Sequence, residues 1–317
     1  MSSPHKPRAG SLQFWPRVRA KRIYSSIKAI SKNNSQKITG FAGYKTGMTH
    51  LIEKDTRSNS LTKNLEISVP VTIIECPPLK PFSLRFYKQT PYGSNVISEV
   101  LSKNLDKLLS KKITMPKKQK NDEFPKEYDE IRLSVYTQPK LTGIGKKKPE
   151  IFEIPLRGDL EFAKSLLNKE IKLSEIFKAG QYIDIHAISK GKGFQGPVKR
   201  FGISLKSHKS EKKRRSPGNL GAFTPRKVDW RVPQHGQHGY HKRTEYNKLI
   251  YYIGSDLEKI NQIGGIKKYG KIKNEFILIK GSVIGPSKRL IIFTKNIRDK
   301  KDVGVPEIID ISTSSKQ

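Results

Sequence analysis

Apolar residues mark a few short stretches of this chain and leave long intervals without any period. Residues 67–76, ISVPVTIIEC, are dense in β-branched side chains and predict a strand, which Pro77, Pro78 and Pro81 stop. Residues 40–52, GFAGYKTGMTHLI, open the first packed segment. In residues 95–110, Ile97, Leu101, Leu105 and Leu108 stand four, four and three apart, the spacing of one face of an amphipathic helix. Residues 111–127 are rich in lysine and proline and read as a loop, whereas Ile131, Leu133 and Val135 alternate as in a strand over 129–136. Asp159 is placed to cap a helix running to about Leu167, and Ser174 a short second one ending at Gly180. Ile183, Ile185 and Ala187 alternate within 181–189, a further strand. Residues 249–253, LIYYI, predict the returning strand. Residues 274–284 and 288–294 form strand, turn and strand around Gly285-Pro286-Ser287. About six strands thus gather from three distant places, with a largely helical insertion between the first two groups, and suggest one closed or nearly closed antiparallel barrel.

Between the strands at 181–189 and 249–253 the apolar pattern fails. Residues 189–250 hold sixteen Lys/Arg, three acids (Glu211, Asp229, Glu245) and eight glycines, with Phe194, Phe201, Phe223 and Trp230 occurring singly. Such a segment has too little apolar surface to offset its own ordering entropy, so it is expected to stay mobile or to be ordered by a polyanion. Residues 1–52 repeat the theme with ten Lys/Arg and no acid. There Phe14 and Trp15 lie among Arg8, Arg17, Arg19 and Arg22, an interleaving of flat rings and guanidinium groups that suits bases and phosphates together.

The whole chain sharpens this picture. Its 317 residues carry 63 Lys+Arg against 28 Asp+Glu, a net charge of +35. Self-repulsion of that size opposes compaction unless a polyanion is bound, and nucleic acid is the first candidate. No stretch approaches the roughly 18 apolar residues of a spanning helix, and the start lacks an apolar core of signal-peptide length, so a cytosolic protein without a membrane partner is expected. Cys76 is the single cysteine, which leaves no internal disulfide and no cysteine-based zinc site.

Two motifs invite chemistry. Gly191-Lys192-Gly193-Phe194-Gln195-Gly196 matches G-x-G-x-x-G after a strand. A dinucleotide site would need a helix opening at the third glycine and an acid about twenty residues on in a βαβ frame, and Gly202 and the missing acid argue against both. The kinase glycine loop fails too, for want of the strand lysine, H-R-D and D-F-G. The glycines instead suit close approach of backbone to a phosphate chain. His235, His238 and His241 are spaced three apart, but Pro233, Gly236 and Gly239 oppose the helix that would converge them on a metal. Stacking on RNA is the better use of these rings. No acid pair or activated nucleophile stands out, so neither an enzyme, a cofactor, a metal nor a small-molecule substrate is expected.

Four blocks then carry a resemblance: HKPRAGSLQFWPRVRA at 5–20, GFAGYKTGMTH at 40–50, SKGKGFQGPVKRFGI at 189–203 and GQHGYHKRTEYNK at 236–248. In this order, across nearly the whole chain, they resemble the universal L-three family of large-subunit ribosomal proteins in its archaeal/eukaryotic form. G-K-G-F-Q-G-P-V-K-R is the most specific. The resemblance implies a mixed β fold with an α+β insertion, built on a six-stranded translation-protein-like β-barrel with long basic extensions. It implies a structural role in the large subunit of the cytoplasmic ribosome, binding of large-subunit rRNA early in assembly, neighbouring ribosomal proteins as partners, and a loop directed toward the peptidyl transferase centre with Trp230 at its tip. The expected division is a basic N-terminal extension (1–39), a first barrel part (40–79), the insertion (80–180), a barrel strand (181–190), the long RNA-binding loop (191–248), a second barrel part (249–295) and a tail (296–317). The residues expected to meet RNA are Lys6, Arg8, Phe14, Trp15, Arg17, Arg19 and Arg22 in the first extension. In the long loop and its flanks they are Lys190, Lys192, Phe194, Lys199, Arg200, Lys206, His208, Lys212, Lys213, Arg214, Arg215, Arg226, Lys227, Trp230, Arg231, His235, His238, His241, Lys242 and Arg243.

Overall fold

A computed structural model describes residues 10–27, 38–57, 59–116, 124–210, 212–298, 300 and 303–314. The fold is mostly β. In chain order the strands are β1 (Gly40–Lys54), β2 (Glu66–Glu75), β3 (Lys80–Thr90), β4 (Gly93–Leu101), β5 (Glu130–Tyr136), β6 (Ile151–Pro155), β7 (Tyr182–Ile188), β8 (Gly191–Gln195), β9 (Gly236–Gly239), β10 (Lys242–Gly254), β11 (Phe276–Lys280), β12 (Leu290–Lys295) and β13 (Glu307–Ile311). The described α-helices are α1 (Leu160–Leu166) and α2 (Pro197–Phe201). The chain divides into two compact units, one of Met1–Arg22 with Ile188–Lys242, the other of Ile23–Ala187 with Arg243–Gln317.

The larger unit holds the regular sheets. One runs β12-β7-β10-β11-β2-β1-β13, and β12 also pairs with β1, so six of these strands follow one another in a cycle. The fifteen-residue β1 makes this possible. Its first residues pair antiparallel with β12 (Gly40↔Thr294 to Tyr44↔Leu290), its last with β13 (Leu51↔Ile311 to Lys54↔Glu307), and Tyr44 to Lys54 with β2. The β1–β2 register shifts between Lys45 and Gly47, where β1 changes partner. Gly43 must be glycine, because a Cβ there would meet Cys76 Sγ, the Glu75 carbonyl oxygen and Ile74 Cγ2 at 2.7 Å.

Residues 80–180 contain a second antiparallel sheet, β4-β3-β5-β6, and α1. A continuous core joins the two sheets, from Phe41, Ile74 and Phe293 to Leu84, Leu133 and Ile154. The Tyr44 hydroxyl donates to Thr137 Oγ1 at 2.9 Å, and Thr39 Oγ1 to the Pro155 carbonyl at 2.8 Å. On the second sheet Arg85 pairs with Glu99 and Glu153, and Arg132 with Glu130 and Glu153, so this unit neutralises much of its own charge.

The strands expected at 67–76, 129–136, 181–189, 274–284 and 288–294 are present as β2, β5, β7, β11 and β12, with shifted ends. Other expectations are corrected. Residues 95–110 are not an amphipathic helix. Gly93–Leu101 is strand β4, and a 3-10 turn covers Lys107–Lys111. Pairing with β3 (Tyr87↔Val96, Leu84↔Val100) supplies the backbone hydrogen bonds, while Leu101 and Leu105 pack on Phe82, Leu109 and Tyr136 in a local cluster. The β-branched Val96, Ile97 and Val100 suit that pairing, so tertiary context overrides the helical spacing. The region 80–180 is therefore strand-rich rather than largely helical. β2 ends at Glu75, just before Pro77 and Pro78, as expected, but Pro81 does not bar a strand. β3 begins at Lys80 and carries Pro81, with a register shift beside it. Ser174 caps nothing: it lies inside a 3-10 turn, Leu173–Glu175, whose N-cap is Lys172, and its hydroxyl donates to Glu275.

Candidate nucleic-acid interface

The smaller unit brings two distant basic segments into one structure. Chain continuity from β7 and β10 sets its base. Ser189 N donates to the His241 carbonyl at 3.0 Å, His241 N to Ser189 Oγ at 3.1 Å, and Tyr240 N to the Lys190 carbonyl at 3.1 Å. Next to them β8 and β9 pair antiparallel (Gly191↔Gly239, Phe194↔Gln237, Gln195↔Gly236). Gly239, at φ +73°, allows this: a Cβ would sit 2.0 Å from the Lys190 carbonyl oxygen. The G-x-G-x-x-G string is thus an edge of this ribbon, with Gly196 as N-cap of α2 and Gly202 in the left-handed conformation at its C-terminus. At Gly239 the glycine serves backbone-to-backbone approach.

The N-terminal arm packs on α2. Trp15 stacks on Phe201 with centroids 6.0 Å apart and planes at 21°. The Arg17 guanidinium lies 4.3 Å from the Phe201 ring centre, and that of Arg200 5.1 Å from it. Gly10 gives the ring room, since a Cβ there would stand 2.4 Å from Phe201 Cδ1. Phe201 is only 4% exposed. Arg200 also holds the return of the loop: its Nε donates to the Gln237 carbonyl and Nη1 to that of Gln234, both at 3.0 Å. Burial, then the charge of Arg17, pulls the Arg200 pKa below its usual value. The expectation that this stretch stays mobile or is ordered by a polyanion left out such contacts within the chain. Rings and arginines from both segments build a small core that neither could build alone.

Trp230 is likewise tied down. Its ring meets Trp15 edge-on, 5.3 Å between centroids, with 57% of its surface exposed. The more open rings are Phe223 (77% exposed), with Arg226 at 5.0 Å, and Phe194 (71%), with the His235 ring at 5.2 Å. Trp230, expected at the tip of the loop, meets the N-terminal arm through Trp15.

The remaining expected residues fall into two groups. Lys190, Lys192, Lys199, Lys206, His208, Lys212, Lys213, Arg214, Arg215, Arg226, Lys227 and Arg231 are exposed, as are Phe14, Arg19, Arg22 and His235. Arg231 pairs with Asp229 at 3.2 Å. Trp15, Arg17, Arg200, His238, Lys242 and Arg243 are partly buried. His241 is 7% exposed, and its Nδ1 hydrogen-bonds the Val18 carbonyl at 2.9 Å. Burial, followed by the charges of Lys192, His241, Arg17 and Arg200, lowers the His238 pKa. The three histidines thus face different partners, and no metal-ligating cluster occurs among the described residues. Lys6 and Arg8 lie outside the described residues. Sequence reasoning missed Ser189, Gln234 and Gln237, whose backbone and hydroxyl groups shape the unit. Their only signal was position beside the conspicuous glycines.

The arrangement displays an excess of cations and several open rings on a ribbon and a short helix held together by backbone and ring contacts. Comparison with known proteins fits this. The family model of ribosomal protein L3 matches residues 1–317. The chain belongs to the ribosomal protein L3 family. Large ribosomal subunit protein uL3 of Methanosphaera stadtmanae is 45% identical over 335 residues, covering 100% of this chain and 99% of that relative. The uL3 proteins of Archaeoglobus fulgidus (46% identical; 99% of this chain, 98% of the relative) and Methanobrevibacter smithii (44%; 99% and 98%) are similar over the same span. Membership of the L3 family accounts for the four sequence blocks at once, two of which, the arm and the glycine string, meet in the packing of Trp15 on Phe201.

Proposed function

We propose that this chain is a structural constituent of the large ribosomal subunit in the cytoplasm, is not an enzyme, and binds large-subunit rRNA through the unit formed by the N-terminal arm and the long loop. The observation that carries this reading is the charge of that unit. Residues 1–22 and 188–242 hold twenty Lys/Arg and two acids, and most of those cations in the loop are exposed. Phosphate neutralisation supplies the affinity, and open rings such as Phe14, Phe194 and Phe223 fill gaps and stack on bases. The sheet cycle β1-β2-β11-β10-β7-β12 is read as a six-stranded barrel of the translation-protein kind, with residues 80–180 inserted in it and β13 in the tail. Family kinship supports an early role in assembly, neighbouring ribosomal proteins as partners and a loop directed toward the peptidyl transferase centre. No helix among the described residues is long and apolar enough to cross a membrane.

Co-sedimentation of the full chain with purified large subunits depleted of their own copy tests the reading, with competition by rRNA fragments and duplex DNA. Stoichiometric incorporation displaced by rRNA is expected. Failure to join the particle, or preference for duplex DNA, overturns it.

A further inference from the structure

The smaller unit contains a hollow of about 600 Å³ lined by Pro197, the run Lys213–Pro217, Leu220, Gln234 and His235. We infer that this hollow captures a single unstacked base of a bound RNA strand, with the adjoining phosphates held by Lys213, Arg214 and Arg215. This deepens the RNA-binding reading and rests on it. The volume lies within the roughly 300–1,000 Å³ of pockets that enclose small ligands. Two kinds of chemistry meet there. Pro197, Pro217 and Leu220 offer apolar wall. Beside them stand three consecutive cations, all exposed and none in an ion pair among the described residues. A bare anion would satisfy the cations and leave the apolar wall wet, and an apolar ligand would do the reverse. A nucleotide has a flat face for the wall and a charge for the run.

The hollow is also held in shape. Arg200 Nη1 donates to the carbonyls of Gln234 at 3.0 Å and His235 at 3.4 Å, and the His235 ring rests against Phe194. Across the hollow, Lys206 N donates to the Arg214 carbonyl at 3.1 Å and Ser216 Oγ to that of Lys213 at 3.4 Å. The Gln234 side-chain amide makes no hydrogen bond among the described residues, so it has a donor and an acceptor to offer the edge of a base.

The full chain is titrated with a short single-stranded RNA carrying one 4-thiouridine, irradiated, and the cross-linked peptide mapped. The same strand with one abasic site tests whether the base matters. Cross-links should fall within residues 213–220 or 234–235. The substitution Leu220→Trp, which fills the hollow from an exposed position, should lower them by about tenfold while total affinity, dominated by phosphates, falls by less than about threefold. Gln234→Ala should weaken the same cross-link without changing the fold. Cross-links mapping elsewhere at undiminished RNA affinity would overturn the base pocket and spare the RNA-binding reading. Equal cross-linking in Leu220→Trp, or equal affinity for abasic and intact strands, would reduce the hollow to a phosphate site and overturn the inference. Absence of any RNA binding would overturn both.

Discussion

The two units balance their charge in opposite ways. Residues 1–22 and 188–242, 77 in all, hold twenty Lys/Arg and two acids, a net +18; the other 240 hold 43 and 26, a net +17. In the larger unit acids face bases. Glu150 takes Lys112 at 2.8 Å and Lys146 at 2.6 Å, and those lysines hold its pKa below the usual value against the effect of burial. Glu75, fully buried, accepts from the Tyr269 hydroxyl, from Lys273 and Asn274 N–H and from the Asn274 amide. The smaller unit has one ion pair among its described residues, Arg231–Asp229. Its arginines lie on rings and on backbone carbonyls, arrangements that order a cation without neutralising it. The body pairs acids with bases, spreads its +17 over 240 residues and has a continuous apolar core, whereas the smaller unit carries +18 on 77 residues with two acids and depends on an external polyanion for the balance.

The largest expected effect breaks the comparison if it fails. With about six to ten phosphates engaged, affinity for rRNA fragments should fall by roughly 10³–10⁵ between about 50 and 200 mM salt, by analogy with duplex binding. Binding isotherms across that range measure it. An affinity indifferent to salt would mean that the smaller unit binds by shape and not by charge.

The second prediction addresses the body. Leu278 is fully buried in β11, so Leu278→Ala should cost about 2–5 kcal/mol in denaturant unfolding. Gly43→Ala should cost about 1–3 kcal/mol, because the new Cβ has backbone and sulfur at 2.7 Å. Both variants should keep the wild-type salt slope for RNA. A changed slope would show that the two units are not separate in function.

Much of the body was legible because its signal is local. β11, β12 and the second half of β2 are short runs of branched or aromatic apolar residues, a pattern that goes with burial on both faces, and β7 shows the alternation of Ile183, Ile185 and Ala187. β4 was misread since Ile97, Leu101, Leu105 and Leu108 fit a helical period whose competitor, the edge of β3, is visible only in three dimensions. β3 was hidden by Pro77, Pro78 and Pro81. In the smaller unit the cations and rings were legible as a class, but their partners were not. Trp15 meets Phe201 and Trp230 from far away in the sequence, and no local period encodes such a contact.

A third test sharpens the contrast within the basic unit. Changing Lys213, Arg214 and Arg215 together to Gln should lower the salt slope by about 2–3, one for each lost phosphate contact. Incorporation into the large subunit should weaken with it. Trp230→Ala removes one edge-on ring pair, worth about 0.5–1.5 kcal/mol, and should leave incorporation nearly intact while loosening the arm around Trp15. Peptide-bond formation by the assembled particles reads whether Trp230 acts on the RNA it reaches. Poor assembly with normal activity in Trp230→Ala would reverse this division of labour.

The smallest effect is a pH dependence confined to the basic unit. Burial and the cations Lys192, His241, Arg17 and Arg200 lower the His238 pKa below its ordinary 6.5. Above that value the ring is neutral folded and unfolded, and its proton contributes nothing to the difference. As pH falls below 6.5 the unfolded ring takes up a proton that the folded one resists, so stability is lost on acidification. Relative to the intrinsic amide exchange rate, protection of the free chain should therefore fall in β8, β9 and α2 between about pH 7 and 5, while β2 and β11, which have no histidine among their own residues, hold theirs. His238→Gln should abolish the difference. Bound RNA should shrink it, since phosphates offset the cations that repel the proton. If protection in β8 and β9, relative to the intrinsic rate, is flat with pH in the wild type, or if the loss persists in His238→Gln, the crowding of positive charge around this histidine does not govern the unit's stability.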